Sequence, residues 1–158
     1  MSQSTKPTNR QTFKGSCHCG FIRYEISYDM PSPPEQPTAS RCNCSICQKS
    51  AFTSLRLSGK DDFKLVSPSS FEEISDYQWQ SKNFHRYFCS KCGIQVYACG
   101  KYELPSGKEE AFFSLNALTL DQPQDGLDMT KWTIRYWDGK NSNWTAGPKD
   151  TPYPMGCV

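Results

Sequence analysis

Apolar and polar residues alternate over several short stretches of the chain. Between Ile22 and Tyr28 every second residue is Ile or Tyr, and the residues between them are Arg, Glu and Ser. This period of two is typical of a strand with one buried face. Further apolar segments, separated by Gly, Pro, Ser or Asp, lie at 53–57, 63–66, 84–88, 94–99, 111–115 and 132–137. The pattern therefore predicts at least six short strands.

Helical periodicity is almost absent from the sequence. One helical turn is predicted around Cys44 to Ser50 and a second within Ser114 to Thr119, and neither has a long amphipathic repeat. Four prolines between Met30 and Thr38 predict a loop. An aromatic content of 13% also favours sheet. We therefore expect a mainly β fold.

A length of 158 residues predicts one domain. The polar residues 1–13 lack periodicity and predict a disordered N-terminal segment, followed by a domain over 14–137. Residues 138–158 are rich in Gly, Pro, Asn and Asp, which predicts an irregular tail. We expect Trp144 and Tyr153 to pack this tail on the domain.

Charge and hydropathy restrict the classes of partner. The 18 basic and 16 acidic residues are interspersed and give a net charge of +2, which argues against binding to nucleic acid or an anionic membrane. No apolar run approaches the roughly 20 residues of a membrane-spanning helix, and the first residues do not have the pattern of a secretory signal. We expect a cytoplasmic protein whose partner is a small molecule, and a homodimer is compatible with the sequence.

The nine cysteines carry the most specific signal in the chain. Cys89 and Cys92 form a CxxCG zinc knuckle, in which Gly93 occupies a turn position where a side chain would clash with the backbone. A structural zinc ion usually has four protein ligands. Cys17 and Cys19, in the segment CHCG, are the natural second pair. Free or disulfide-bonded cysteines are the alternative, which the spacing and a reducing compartment disfavour.

Three further cysteines lie together in the segment CNCSIC, at Cys42, Cys44 and Cys47. Catalytic zinc sites typically have three protein ligands and one exchangeable position, so this cluster predicts an open, reactive zinc site. Two alternatives remain. The cluster either holds a second structural zinc, completed by His18, His85 or Cys99, or holds no metal in the resting protein.

The other candidate residues have simpler interpretations. Cys99 lies in an apolar strand and is expected to be a small buried residue, whereas Cys157 is expected to be an exposed thiol. Three basic side chains flank the cluster and would attract an anionic substrate, although surface charge is the simpler interpretation of each. They are Arg41, Lys49 and Arg56.

Three motifs resemble the glutathione-dependent formaldehyde-activating enzyme family, also called the CENP-V/GFA domain. They are GSCHCGFIRYEI at 15–26, SRCNCSICQKSAF at 40–52 and FCSKCGIQVY at 88–97, in the family's order. The resemblance implies an Mss4-like fold, in which small antiparallel sheets lean together as a β-tent. It also implies a structural zinc on Cys17, Cys19, Cys89 and Cys92 and a catalytic zinc on Cys42, Cys44 and Cys47. The tail is similar to that of fungal members.

The family's named activity is the condensation of formaldehyde with glutathione to S-hydroxymethylglutathione. By resemblance, we expect a zinc-dependent carbon-sulfur lyase that acts on adducts of aldehydes with glutathione or a related thiol. It would carry two zinc ions per chain and use glutathione as co-substrate. The alternatives are a non-enzymatic zinc-binding interaction module and a thiol redox or zinc sensor.

Overall fold

The computed structural model describes residues 9–156, which contain ten strands, one α-helix and six short 3₁₀ turns. The strands are β1 (Arg10–Ser16), β2 (Arg23–Asp29), β3 (Thr38–Cys42), β4 (Ser54–Leu57), β5 (Phe63–Ser67), β6 (Ser75–Tyr77), β7 (Phe84–Phe88), β8 (Gln95–Glu103), β9 (Glu109–Asn116) and β10 (Thr133–Trp137). The helix α1 is Ser45–Lys49. The 3₁₀ turns are Lys60–Asp62, Phe71–Glu73, Ala117–Thr119, Met129–Lys131, Gly139–Asn141 and Trp144–Ala146. None of these helical segments has the length and apolar character needed to span a bilayer.

The strands form two sheets. The small sheet has the order β1-β2-β5, and the large sheet has the order β10-β3-β4-β9-β8-β7-β6. All pairs are antiparallel except β10 with β3, which run parallel. The prediction of a mainly β fold with few short helical turns is confirmed, and its strands form two sheets.

The alternating pattern at Ile22 to Tyr28 corresponds to β2, whose Tyr24 and Ile26 are buried. The predicted disorder of residues 1–13 is wrong where it overlaps the described residues. Residues 10–13 belong to β1, which pairs along its whole length with β2, and Phe13 is only 2% exposed. This buried ring supplies the apolar area that a disordered segment lacks. Residues 1–8 lie outside the described part of the chain.

The main hydrophobic core lies between the small sheet and one face of the large sheet. Its centre is a chain of aromatic rings in which Tyr24 stacks on Phe63 at 5.0 Å between centroids. Phe63 in turn lies 4.9 Å from Tyr97, which stacks on Tyr87 at 4.5 Å and on Phe113 at 5.2 Å. Such pairs add about 0.5–1.5 kcal/mol each beyond area burial. Aromatic side chains thus join the two sheets.

The opposite face of the large sheet carries a second, smaller apolar cluster. It contains Cys47, Phe52 and Ala98, with Cys42 and Cys44 packed against it. Side chains alternate between the faces of a strand, so Ala98 points away from its neighbours Tyr97 and Cys99. One face of the sheet therefore builds the core and the other supports the three-cysteine segment.

Residues 138–156 have two 3₁₀ turns and otherwise irregular backbone. One antiparallel bridge joins Lys149 to Tyr136 of β10. Tyr153 is buried, whereas Trp144 is 55% exposed although its ring lies 6.1 Å from that of Trp137. The proposed division into a domain over 14–137 and a tail over 138–158 stays a prediction.

Replacing Gly15 by Ala is expected to destabilise the fold. A Cβ atom at Gly15 would overlap the ring and hydroxyl of buried Tyr24 and lie 2.7 Å from the Thr119 carbonyl oxygen. Tyr24 has little room to move, because its hydroxyl is hydrogen-bonded to Thr119 Oγ1 at 2.7 Å. Overpacking of this kind costs typically about 1–3 kcal/mol. Denaturant unfolding of Gly15→Ala should show this loss.

Gly59→Ala is the matched control, since a Cβ there has no neighbour within 4 Å and the backbone is extended. Its free energy of unfolding should stay within about 0.5 kcal/mol of the parent. Equal stability of both variants would contradict the close approach at Gly15.

Candidate metal centres

Four of the predicted ligands form one cluster. The Sγ atoms of Cys17, Cys19, Cys89 and Cys92 all lie within 4.8 Å of one another. The distance from Cys17 Sγ to Cys19 Sγ is 3.7 Å, and that from Cys19 Sγ to Cys89 Sγ is 3.6 Å. A tetrahedral zinc ion with bonds of about 2.3 Å separates its sulfurs by about 3.8 Å. The spacing therefore fits zinc, and it is too long for a disulfide bond.

Two glycine-ended turns build this four-cysteine cluster. The first follows β1 and ends at Gly20, and the second follows β7 and ends at Gly93, both with φ of +76°. The Gly20 amide donates to the Cys17 carbonyl at 3.0 Å, and the Gly93 amide donates to the Cys89 carbonyl at 2.8 Å. Glycine adopts this left-handed conformation without the steric penalty of a Cβ atom. The turns place Cys17 and Cys89, both buried, side by side.

The protonation of the four-cysteine cluster is uneven. Burial raises the pKa of Cys17 to about 12. Burial also opposes ionisation of Cys92, but hydrogen bonds from the backbone amides of Ile94 and Cys19 lower its pKa to about 6. The cluster thus contains a thiolate at neutral pH and would release further protons on binding a metal ion.

The other three predicted ligands form a second cluster. The Sγ atoms of Cys42, Cys44 and Cys47 also lie within 4.8 Å of one another. Cys42 ends β3, Cys44 is the N-cap of α1, and Cys47 lies within α1, so the start of the helix brings the three sulfurs together. Thiolate sulfur is a preferred ligand of zinc, and the residues fit this ion.

No His, Cys, Asp or Glu among residues 9–156 joins the three-cysteine cluster as a fourth ligand. His85 hydrogen-bonds Asp76 through Nδ1 at 2.7 Å and Gln78 through Nε2 at 3.2 Å. Cys99 packs against the main core. Cys157 lies outside the described residues. The role of all seven clustered cysteines as zinc ligands, and the catalytic role of Cys42, Cys44 and Cys47, stay predictions.

Charge is unequally shared among the three sulfurs. Hydrogen bonds with Cys42 and Cys47 lower the pKa of Cys44, and the Arg86 guanidinium adds to this effect. Hydrogen bonds with Cys42 and Cys44, together with burial, raise the pKa of Cys47. The lowered pKa of Cys44 favours its thiolate form, which is the form that binds a cation.

Asn43 ties the ligand segment to the tail. Its side chain is buried, and its Nδ2 donates to Asp138 Oδ1 at 2.7 Å and to the Pro154 carbonyl at 3.3 Å. Its Oδ1 accepts from the Lys140 amide at 2.8 Å. Asp138 is itself only 5% exposed. The side-chain amide of Asn43, which lies between Cys42 and Cys44, therefore holds the tail at residues 138–140 and at Pro154.

Gly139 allows the tail to approach the three-cysteine cluster. A Cβ atom at this position would overlap Cys42 Sγ and lie 2.8 Å from the Trp144 ring. The tail thus covers one side of Cys42. The sequence showed a glycine-rich tail but gave no signal that its backbone would contact a sulfur.

Arg86 of β7 contacts the cluster from the other side. Its Nη2 donates to Cys47 Sγ at 3.5 Å, and its Cζ lies 4.9 Å from the Phe52 centroid and 5.8 Å from that of Trp79. Sequence reasoning missed this residue because 39 positions separate it from Cys47. The one available signal was an arginine within an otherwise aromatic strand.

The basic residues singled out from the sequence lie elsewhere. Arg41 donates to Thr53 Oγ1 at 3.3 Å. Arg56 lies 5.2 Å above the Phe112 ring and is exposed, and Lys49 is exposed at the end of α1. The structure therefore adds Arg86 to the candidates without giving these three a contact to the sulfurs.

Comparison with known proteins agrees with this arrangement. The sequence model of the family described as glutathione-dependent formaldehyde-activating enzyme matches residues 12–134. A Halomonas elongata protein, provisionally named as such an enzyme, is 36% identical over 91 residues. This alignment covers 53% of the chain and 54% of the relative, so the chain spans about half the length of the curated relative it matches. A crystal structure of a Rhodobacter sphaeroides protein has a similar fold, with a TM-score of 0.51 and 23% identity over 78% of this chain and 98% of the other.

The two clusters should differ in their importance for stability. Cys89→Ser removes a ligand from the cluster that joins two distant turns, and structural zinc binding contributes directly to folding free energy. We expect this variant to lose one zinc ion and to unfold or melt at least about 10 °C lower. Metal analysis by mass spectrometry and thermal circular dichroism provide the measurement.

Cys44→Ser is the matched variant in the other cluster. It should also lose one zinc ion but melt within a few degrees of the parent, because its neighbours are held by α1 and the tail. Equal destabilisation by the two substitutions would show that the clusters are not divided into a structural and an open site.

Asn43→Ala should loosen the tail. The substitution removes three hydrogen bonds, among them the 2.7 Å bond from Asn43 Nδ2 to the buried Asp138 carboxylate. A net loss of about 1–3 kcal/mol is expected locally. Limited trypsin digestion should then cleave after Lys140 and Lys149 at least about fivefold faster. Asn83→Ala, at an exposed position, is the control. An unchanged cleavage rate in Asn43→Ala would refute the role of Asn43 in holding the tail.

Proposed function

The chain belongs to the glutathione-dependent formaldehyde-activating enzyme family, and on that premise we propose that it is a zinc-dependent carbon-sulfur lyase. It would form or cleave the bond between the sulfur of glutathione, or a related thiol, and the carbon of an aldehyde. The reaction would take place at the three-cysteine cluster, while the four-cysteine cluster would hold a structural zinc. The proposal includes a cytoplasmic location, where thiols stay reduced.

The observation that carries the proposal is the unequal number of sulfurs in the two clusters. Four sulfurs complete a tetrahedral shell, whereas Cys42, Cys44 and Cys47 leave one position free among the described residues. Zinc held by three protein ligands would acidify a thiol at that position or polarise an aldehyde oxygen. Cys42 and Cys44 are half-buried, so a small molecule can reach this side of the cluster.

The residues of the chain would shape and hold this site. Hydrogen bonds among the three cysteines keep a negative charge on Cys44 and so favour the metal-binding state. Asn43 holds the tail against one side of Cys42, and Gly139 permits this close approach. In the synthetic direction the S–H bond and the π bond of the aldehyde carbonyl break, a sulfur-carbon bond forms, and the thiol proton moves to the aldehyde oxygen, so atoms and charge balance.

A thiol redox sensor is the second candidate. The half-buried position of Cys44 and its lowered pKa are the properties of a cysteine that oxidants reach and modify. Under this alternative, mild oxidation would release one zinc ion reversibly and no adduct would be turned over.

Cys44→Ser should lower the rate of S-hydroxymethylglutathione formation from formaldehyde and glutathione by at least about 100-fold, because the open site loses a ligand. Exchange NMR measures the catalysed rate above the spontaneous background. Cys99→Ser, which lies outside both clusters, should retain more than about half of the activity. Unchanged turnover in Cys44→Ser would exclude the cluster as the site of reaction.

A further inference from the structure

The guanidinium of Arg86 has few partners for a half-buried charge. Its hydrogen bond within residues 9–156 is the 3.5 Å contact from Nη2 to Cys47 Sγ, and its Nε is buried without a partner. None of the ion pairs in this part of the chain includes Arg86. A guanidinium has five N–H donors, and a partly buried charge without a counter-ion is unfavourable.

Two aromatic rings fix the position of this guanidinium. Phe52, which is buried just after α1, lies 4.9 Å from Cζ, and Trp79 lies 5.8 Å from it. Trp79 is itself stacked on Tyr77 at 5.5 Å. Cation–π contacts of this kind orient the flat side chain, and because Nε is buried, the N–H groups that a ligand could reach are those of Nη1 and Nη2. Arg86 also pairs across the sheet with Ala98, on the face that supports the three-cysteine cluster.

One sulfur atom does not satisfy the hydrogen-bonding capacity of the Arg86 guanidinium. Arg86 lies against Cys47 Sγ, so part of its role is to offset the charge of thiolates in the cluster. However, a sulfur at 3.5 Å accepts one weak hydrogen bond, and a lysine would supply the same charge. A planar fork beside an open site matches a carboxylate, which accepts two parallel hydrogen bonds.

We propose that Arg86 binds a carboxylate of the thiol substrate and so makes the three-cysteine site selective for anionic thiols over neutral ones. This inference rests on the proposed function, since it requires a thiol to bind at that cluster. Substrates would then carry a carboxylate within reach of the reacting sulfur, as a short peptide does when its cysteine lies next to the C-terminal residue. Arg86 would determine affinity, while the cysteines would determine the chemistry.

The test compares binding of glutathione and of glutathione dimethyl ester, whose carboxylates are neutral, to zinc-loaded protein by isothermal titration calorimetry. Arg86→Gln should weaken glutathione binding about 10- to 100-fold and change ester binding less than about threefold. Arg86→Lys keeps the charge but lacks the planar fork of N–H groups, so its affinity for glutathione should lie between those of Arg86→Gln and the parent. Lys49→Gln removes an exposed charge from the end of α1 and is the matched control, with an expected change below about twofold.

Zinc content and melting temperature of each variant show whether the site is intact. Equal loss of affinity for both thiols, or no loss for either, would overturn the inference, as would tighter binding of the ester than of glutathione by the parent. Selective loss of glutathione binding in a protein that turns over no adduct would support the role of Arg86 and refute the proposed lyase activity. If Arg86→Gln does not fold, the same comparison of glutathione with its dimethyl ester is made with Arg86→Lys, and a selective loss of glutathione affinity in that variant is the expected result.

Discussion

The four-cysteine cluster is the constraint on which the two-sheet arrangement depends. The Cys17–Gly20 turn joins β1 to β2 in the small sheet, and the Cys89–Gly93 turn joins β7 to β8 in the large sheet. The sulfurs of these turns lie 3.6 Å apart although 70 positions separate them in the chain. Closing a loop of this length is costly in entropy for the unfolded chain. A metal ion bound here would offset that cost and fix the angle at which the sheets share their aromatic core.

The large sheet serves two purposes because its side chains alternate. In β8 and β9, Tyr97 and Phe113 point into the aromatic core, whereas Ala98 and Phe112 pack on the three-cysteine side. In β7, Tyr87 stacks on Tyr97 while its neighbour Arg86 contacts Cys47. The rigid packing of one face thus positions Arg86 on the other, and a small residue at Ala98 leaves room for α1. This sharing explains how a short chain holds both a core and a half-buried cysteine cluster.

The sequence was sufficient for features that depend on local pattern. The spacing of the cysteines predicted both clusters, and the alternation around Tyr24 predicted β2. Features that depend on distant partners were not predictable: Phe13 is buried by β2, so the polar residues around it misled the expectation of disorder. The parallel pairing of β10 with β3 and the Asn43–Asp138 hydrogen bond join segments about 95 positions apart. No residue type or spacing in either segment indicates such a pairing.

Charge balance links Arg86 to the way a thiol would be held. Three thiolates around a divalent cation carry a net charge of −1, and a fourth thiolate from a substrate would make it −2. In a half-buried site such a charge is unfavourable, because the surrounding protein screens it less than water does. The Arg86 guanidinium lies next to Cys47 and offsets one unit. A substrate carboxylate bound to Arg86 would form a charge-assisted hydrogen bond and so hold the substrate through a group other than its sulfur. Under the proposed function, the substrate would then stay in the site through its carboxylate while the bond between its sulfur and carbon forms and breaks.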